Sequence, residues 1–479
     1  MEALSMSVET GAMKRFQTWL FHPVDATPLV AFRIAFGVLM GIEALASYLW
    51  KVDQRYAGDL FHFTYPGFGW VGALPGYGMH ALVVFMGLCA FCFGIGYRYR
   101  LAAIGFFVSY TWLFLVERTA FNNHYYLICL LAFLFILVDA NAEAAVDNYR
   151  RPKTEKRWVP FWHVGIFRAQ IVVVYFFGGV AKLNMDWLRL HPIDHWLGGR
   201  FQDHFVANFI DPHHLAILFA YGGMVFDLSI GFLLLWGRTR VFAVALVLGF
   251  HLTNAFVFSI GVFPWLGLGT LFLFVDAKYP RKLMHKLGYV DACPGDPPSV
   301  VPPKLRARAV MAFCLVYVGF QVIFPLRHLI YPGYASWTEE GHPFAWHMKL
   351  RDKEGAIRFF VEDEATGRRE VIGWDEMREE LTHKQAWHVG TLPGIGVLYA
   401  NHLRERFLEE GMKDPKVYAD SWASVNGRPF QRLLDPEMDL GQAREPLIGT
   451  ADYIVPMDPA AEPGIYPPLP TFETDPAAQ

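Results

Sequence analysis

The chain has 479 residues, 54% hydrophobic and 16% aromatic against 18% charged, a balance too apolar for an average soluble enzyme. A formal net charge of -3 argues against the concentrated basic surface that nucleic-acid binding needs. The expectation is a membrane protein whose informative charges are local.

A hydrocarbon core about 30 Å thick asks for roughly 20 apolar residues per helix. Nine such windows lie at about 28–47, 78–97, 101–117, 123–139, 163–182, 213–236, 241–258, 261–276 and 308–328. Lysine and arginine in short loops mark the cytoplasmic side, and here they fall in every second loop. Lys14 and Arg15 precede the first window, Arg98 and Arg100 follow the second, and Arg150, Arg151, Lys153, Lys156 and Arg157 follow the fourth. Arg238 and Arg240 follow the sixth, and Lys278, Arg281, Lys282, Lys286, Lys304 and Arg306 follow the eighth. Residues 1–27 are therefore expected inside, with no short apolar region and small-residue cleavage site to mark a signal peptide, and everything after the ninth window outside.

Beyond the membrane domain, 28–328, the composition shifts to that of an exterior domain, 329–455, expected to be mixed and mainly β. RFFVEDEATGRREVIGW predicts a hairpin around the turn residues ATGR, and PKVYADSWASVNGRPFQRLLD predicts further strands around Asn426-Gly427. Between them, HVGTLPGIGVLYANHLRERFLEE predicts a helix preceded by a Gly/Pro turn. The proline-rich residues 456–479 predict an irregular tail.

All five cysteines (Cys89, Cys92, Cys129, Cys293 and Cys314) lie in the windows or the inner loop, so the exterior domain has no internal disulfide. Cys89 and Cys92 form CxxC, but no histidine or further cysteine completes a metal-ligand pattern, and small packing residues are the expected role. No metal site is expected.

Ionisable groups inside membrane helices are paired or functional by default. Here they are Arg33, Glu43, Arg168, Asp227 and His251. Arg168 and Asp227 both fall on the cytoplasmic half by the loop charges, and the simplest expectation is an ion pair between them. His251 and Asn254 share one helical face in the outer half, where they serve interhelical hydrogen bonding or contact a substrate.

The outer ends of the fourth and fifth windows carry the densest chemistry. ERTAFNNHYYL brings Asn122, Asn123 and His124 to the mouth of one helix, and VYFFGGVAKLNMDW brings Lys182 to the exit of the next. Lys182 either snorkels to the interface or works as a base. Gly178 and Gly179, one turn before it, let a partner helix or a flat ligand approach the backbone. A lysine in such an apolar, partly dry pocket has its ammonium form disfavoured and can take a proton near neutral pH.

These residues resemble the vitamin K-dependent gamma-glutamyl carboxylases, including bacterial relatives with the HTTM membrane domain. The resemblance runs through FNNHYYL, LVDANAEAAVD, FRAQIVVVYFFGGVAKLNMDW, FDLSIGFLLLW, FHLTNAFVFSIGVF and PRKLM, then GYASWTEEGHPFAWHM and VYADSWASVNGRPFQRLLDP, in order over about residues 25 to 455. It implies an enzyme that oxygenates reduced vitamin K to its epoxide, uses the strong base formed on the way to remove the γ-proton of a glutamate, and adds carbon dioxide. It implies reduced vitamin K as cofactor, O2 and CO2 as co-substrates and a glutamate-containing peptide or protein as partner. Lys182 takes the place of the lysine that deprotonates the hydroquinone, and His124 with Asn123 that of the active-centre pair. The glutamate-recognition stretch is similar to residues 333–348, offering Tyr334, Trp337, Trp346 and His347. Where animal members often carry two adjacent lysines, this chain has Ala181 then Lys182. The expected setting is a bacterial cell membrane; in an animal the exterior would be the endoplasmic reticulum lumen.

Overall fold

The structure is a computed structural model that describes residues 2–56, 60–151, 156–201, 209–257, 260–289, 297, 302–447, 449–470 and 472, with side chains from residue 11 onward. Lys153 and Cys293 lie outside the described residues.

All nine expected windows hold helices. Seven are long and apolar enough to cross a bilayer: Thr27–Trp50, Gly78–Ile95, Tyr99–Val116, Trp162–Val180, Pro212–Leu235, Arg240–Val257 and Lys304–Leu329. The fourth and eighth spans, Asn123–Leu137 and Phe263–Leu273, are shorter apolar helices. The chain is thus a polytopic helical membrane protein. An additional helix, Glu2–Phe21, precedes the first span, and a short antiparallel ribbon pairs β1 (Pro23–Asp25) with β2 (Trp158–Pro160).

Small residues bring the helices together. A Cβ on Gly37 of the first span would lie 2.5 Å from the Gly94 Cα of the second, so these two backbones touch where neither carries a side chain. Arg33 enters the same junction fully buried and is satisfied by carbonyls, with donations to Ala140 at 2.8 Å and Ala144 at 2.6 Å. Glu43 pairs with Lys51. Cys89 is buried, Cys92 is half-buried, and both are free thiols.

The C-terminal domain, the one expected outside and called the exterior domain for that reason, is built on an antiparallel sheet of order β4-β3-β5-β6, from β3 (Lys353–Asp363), β4 (Arg368–Ile372), β5 (Lys416–Val425) and β6 (Gln431–Arg432). The ATGR turn and the Asn426-Gly427 turn fall between strands as expected, with φ of 55° and 74° at the latter two residues. The sequence between the hairpins departs from expectation. Instead of a Gly/Pro turn before one helix there are two helices, His383–Thr391 and Pro393–Glu409, after a first at Trp374–Glu380. Helix therefore shares this domain with strand more evenly than a mainly β domain would. Pro393 ends the first of the pair and starts the next at N1, where its missing N–H costs nothing. The core joins Phe359, Val361 and Val417 of the sheet to Tyr399, Leu403 and Phe407 of the last helix. Phe63, from the loop after the first span, is buried in that core and ties the domain to the membrane bundle.

Candidate functional site

Lys182 does not reach outward. It is 7% exposed, and its Nζ turns back to donate to the Gly178 carbonyl at 2.9 Å and to Asp227 Oδ2 at 2.7 Å. This corrects two expectations. Asp227 is the partner of Lys182 and not of Arg168, whose Nε donates to the Leu273 carbonyl at 2.7 Å; and Lys182 sits beside a carboxylate in place of a purely apolar surround. The reason lies in the two glycines. A Cβ on Gly179 would fall 2.7 Å from the Leu228 backbone nitrogen, and one on Gly178 would meet Met348 at 2.8 Å. Their bareness admits the sixth span, which carries Asp227 to the amine; the ring of Trp187 closes the other side, 5.4 Å from Nζ.

A cavity of about 900 Å³ opens beside this pair. Its inner part is apolar, walled by Leu127, Ile171, Val174, Phe250, Phe263 and Leu266; its outer part runs beneath the exterior domain past His342, His347, Lys384 and His388. Lys182, Asp227, Asn122, Asn123, His124, His251 and Asn254 all line it. Asn123 is positioned by an exterior residue, its Nδ2 donating to the His347 carbonyl at 2.7 Å, while its Oδ1 is buried without a partner among the described residues. His251 meets the Tyr175 hydroxyl at 2.7 Å through Nε2 and leaves Nδ1 buried and unpaired among the described residues. Gly267 makes this possible, because a Cβ there would fall 2.2 Å from His251 Nε2. Phe263 separates the two histidines, 6.0 Å from the His124 ring and 5.6 Å from that of His251.

The stretch 333–348 divides. His347 lines the cavity, with both ring nitrogens buried and unpaired among the described residues. Burial, reinforced by the neighbouring His328 ring and the Arg351 guanidinium, holds its imidazole at about 3, so it is neutral at physiological pH. Tyr334, Trp337 and Trp346, expected to bind substrate, do not line this cavity. Tyr334 hydroxyl donates to Asp186 Oδ2 at 3.1 Å, Trp337 is buried in the exterior core with Nε1 on the Val455 carbonyl at 2.8 Å, and Trp346 is fully buried on Tyr126. Large aromatics following an Ala or Ser in a polar stretch look like binding residues in sequence; here the stretch is the joint between the two domains and its rings fill it.

Asp227, Lys384 and His388 reach the cavity without having been expected there. Asp227 was visible as a charge in an apolar helix but assigned the wrong partner. Nothing in sequence spacing links the helix His383–Thr391 to the fourth span; that depends on docking, through Gln385 Nε2 donating to Glu117 Oε2 at 2.7 Å and to the Phe61 carbonyl at 2.8 Å.

A helical bundle that opens into a cavity under a mixed domain, with a lysine-carboxylate pair among its lining residues, defines a polytopic membrane protein with a candidate site between the two parts. Comparison with known families agrees in both parts: the HTTM domain matches residues 21–279, and the vitamin K-dependent gamma-carboxylase lumenal domain matches residues 306–460. The chain belongs to this vitamin K-dependent gamma-carboxylase family. No solved structure matches it.

Proposed function

We propose that the protein carboxylates glutamate residues of a peptide or protein at the γ-carbon and couples this to epoxidation of reduced vitamin K. The observation that carries the reading is one cavity, apolar and beside Lys182 at one end, lined by polar and basic groups of the exterior domain at the other. Its volume suits a ligand-sized occupant, and Asn123, His251 and His347 on its wall each carry a polar side-chain atom with no hydrogen-bond partner among the described residues. When bound, the quinol supplies, with O2, a base strength that no side chain has. The residues supply position and proton transfer. Lys182 Nζ takes the hydroxyl proton of the quinol once the pair's own proton rests on Asp227, 2.7 Å away, leaving a neutral amine that the carboxyl group holds in place. Asn123, fixed by the His347 carbonyl, presents Oδ1 to the reacting groups beside His124. The apolar walls exclude water, which would quench a carbanion. The glutamyl side chain enters from the exterior half.

The test is to incubate purified protein with reduced vitamin K, oxygen, labelled bicarbonate and a short glutamate peptide. Epoxide together with label in the peptide is the expected result. Epoxide alone would make the protein a quinol epoxidase, and neither product would leave a binding or transport protein on this scaffold.

A further inference from the structure

Most cations along the cavity already have acidic partners: Lys182 has Asp227, Arg118 has Glu445, and Arg351 and Lys353 share Glu339. Lys384 differs. Its side chain is exposed on the cavity wall, and its amine has no hydrogen-bond or ion-pair partner among the described residues. The carboxylate whose field it feels, Glu117, is already engaged by Thr119 at 2.6 Å, by Gln385 at 2.7 Å and by His62 at 3.2 Å.

The position of Lys384 is set by its neighbours. Thr382 and Gln385 close a reciprocal cap on the helix His383–Thr391, with bonds of 2.8 and 3.3 Å, and the Gln385 carboxamide binds the helix to the membrane bundle. One turn further along, on the same face, His388 lines the cavity. Burial and the Lys384 charge hold the His388 imidazole at about 3, so it is neutral and carries one ring N–H.

We propose that Lys384 and His388 form a carboxylate-binding subsite for an acidic peptide on the exterior wall of the cavity, apart from the Lys182–Asp227 pair. An ammonium and an imidazole N–H one turn apart match the acceptor oxygens of a carboxylate, and such charge-assisted bonds are the stronger kind. The subsite lies on the exterior domain, the side from which a water-soluble peptide arrives. This deepens the proposed carboxylation and rests on it.

The test measures binding of a fluorescent glutamate peptide, and of its glutamine counterpart, to the full-length protein in detergent without quinol or oxygen. Lys384→Gln is expected to weaken the glutamate peptide about tenfold, the scale of one charge-assisted hydrogen bond, to leave the glutamine peptide unchanged, and to leave KM for the reduced quinone unchanged. Lys384→Arg is expected to restore glutamate-peptide binding. Equal weakening of both peptides, or none, would overturn the subsite. A wild-type protein that binds the peptide through Lys384 but forms neither epoxide nor labelled product overturns the reaction and supports the subsite. One that turns over with Lys384→Gln unchanged overturns the subsite and leaves the reaction.

Discussion

Lys182 sits at the end of an apolar helix, where its chemistry and its packing make opposite demands on a substitution. Arginine at this position keeps a cation for Asp227, so the ion pair that ties the fifth span to the sixth survives. A guanidinium, however, does not release its proton in proteins. Lys182→Arg is therefore expected to insert and fold yet form no quinone epoxide. Lys182→Ala is also expected to be inactive, and small added amines should restore part of its epoxide yield; an active arginine variant would return the lysine to a packing role. His124→Ala is expected to insert normally and lose carboxylation, since its imidazole makes ring contacts with Tyr125 and with Phe263 of the eighth span but no hydrogen bond among the described residues. His347 bears on pH. Its folded pKa is lowered to about 3, so it is neutral at every pH above roughly 4 and contributes no ionisation to a rate profile between pH 5 and 9. His347→Gln should lower the carboxylation rate by a similar factor across that range; the loss of an acidic or basic limb in the variant would show that the imidazole titrates in catalysis.

The element that carries Lys182 is held from outside the membrane. Four residues after it, Asp186 accepts from both Arg428 Nη atoms at 2.7 and 2.8 Å, from Asn426 at 2.7 Å and from Tyr334 at 3.1 Å. Asp186 and Arg428 are both buried. This explains what the resemblance could not: Tyr334, expected to touch substrate, and the Asn426-Gly427 turn, expected only to connect strands, converge on the segment between Lys182 and Trp187. Removing one partner of a buried pair strands the other charge and costs about 3–5 kcal/mol, whereas replacing both by apolar groups costs less. Arg428→Met is expected to lower the thermal midpoint of the protein in detergent markedly, and adding Asp186→Leu to recover part of the loss. A double variant no more stable than the single would show that the charge pair is not what joins the exterior domain to the fifth span.

At the scale of the whole molecule, the alternation of basic loops predicts that residue 149 faces the cytoplasm and residue 364, in the exterior hairpin turn, faces the other side. Tyr149 is 79% exposed and the Glu364 side chain 88% exposed, so cysteines placed there in a background without the native thiols will be accessible to a reagent. In sealed membranes an impermeant maleimide should label one and not the other; labelling of both from one side would refute the nine-span arrangement. The positions of the spans were legible because a bilayer imposes length and hydrophobicity locally, residue by residue. The hairpin turns were legible for a similar reason, since Asn-Gly and Thr-Gly carry their backbone preference in themselves. Lys182, Asn123 and His124 were also legible, as polar groups at the ends of apolar helices. Which of these groups meet was not. Arg168 and Asp227 look like partners when depth is inferred from loop charge alone, yet the bare faces of Gly178 and Gly179 bring Asp227 to Lys182. Lys384 and His388 are some 200 residues from Lys182 in sequence and line the same cavity only because Gln385 docks their helix on the bundle. The sequence by itself determined the membrane class, the helices and the chemistry available at their mouths, because those depend on local composition. Tertiary structure alone decided the partners of each charge and the walls of the cavity, because close approach between distant segments depends on which side chains are absent as much as on which are present.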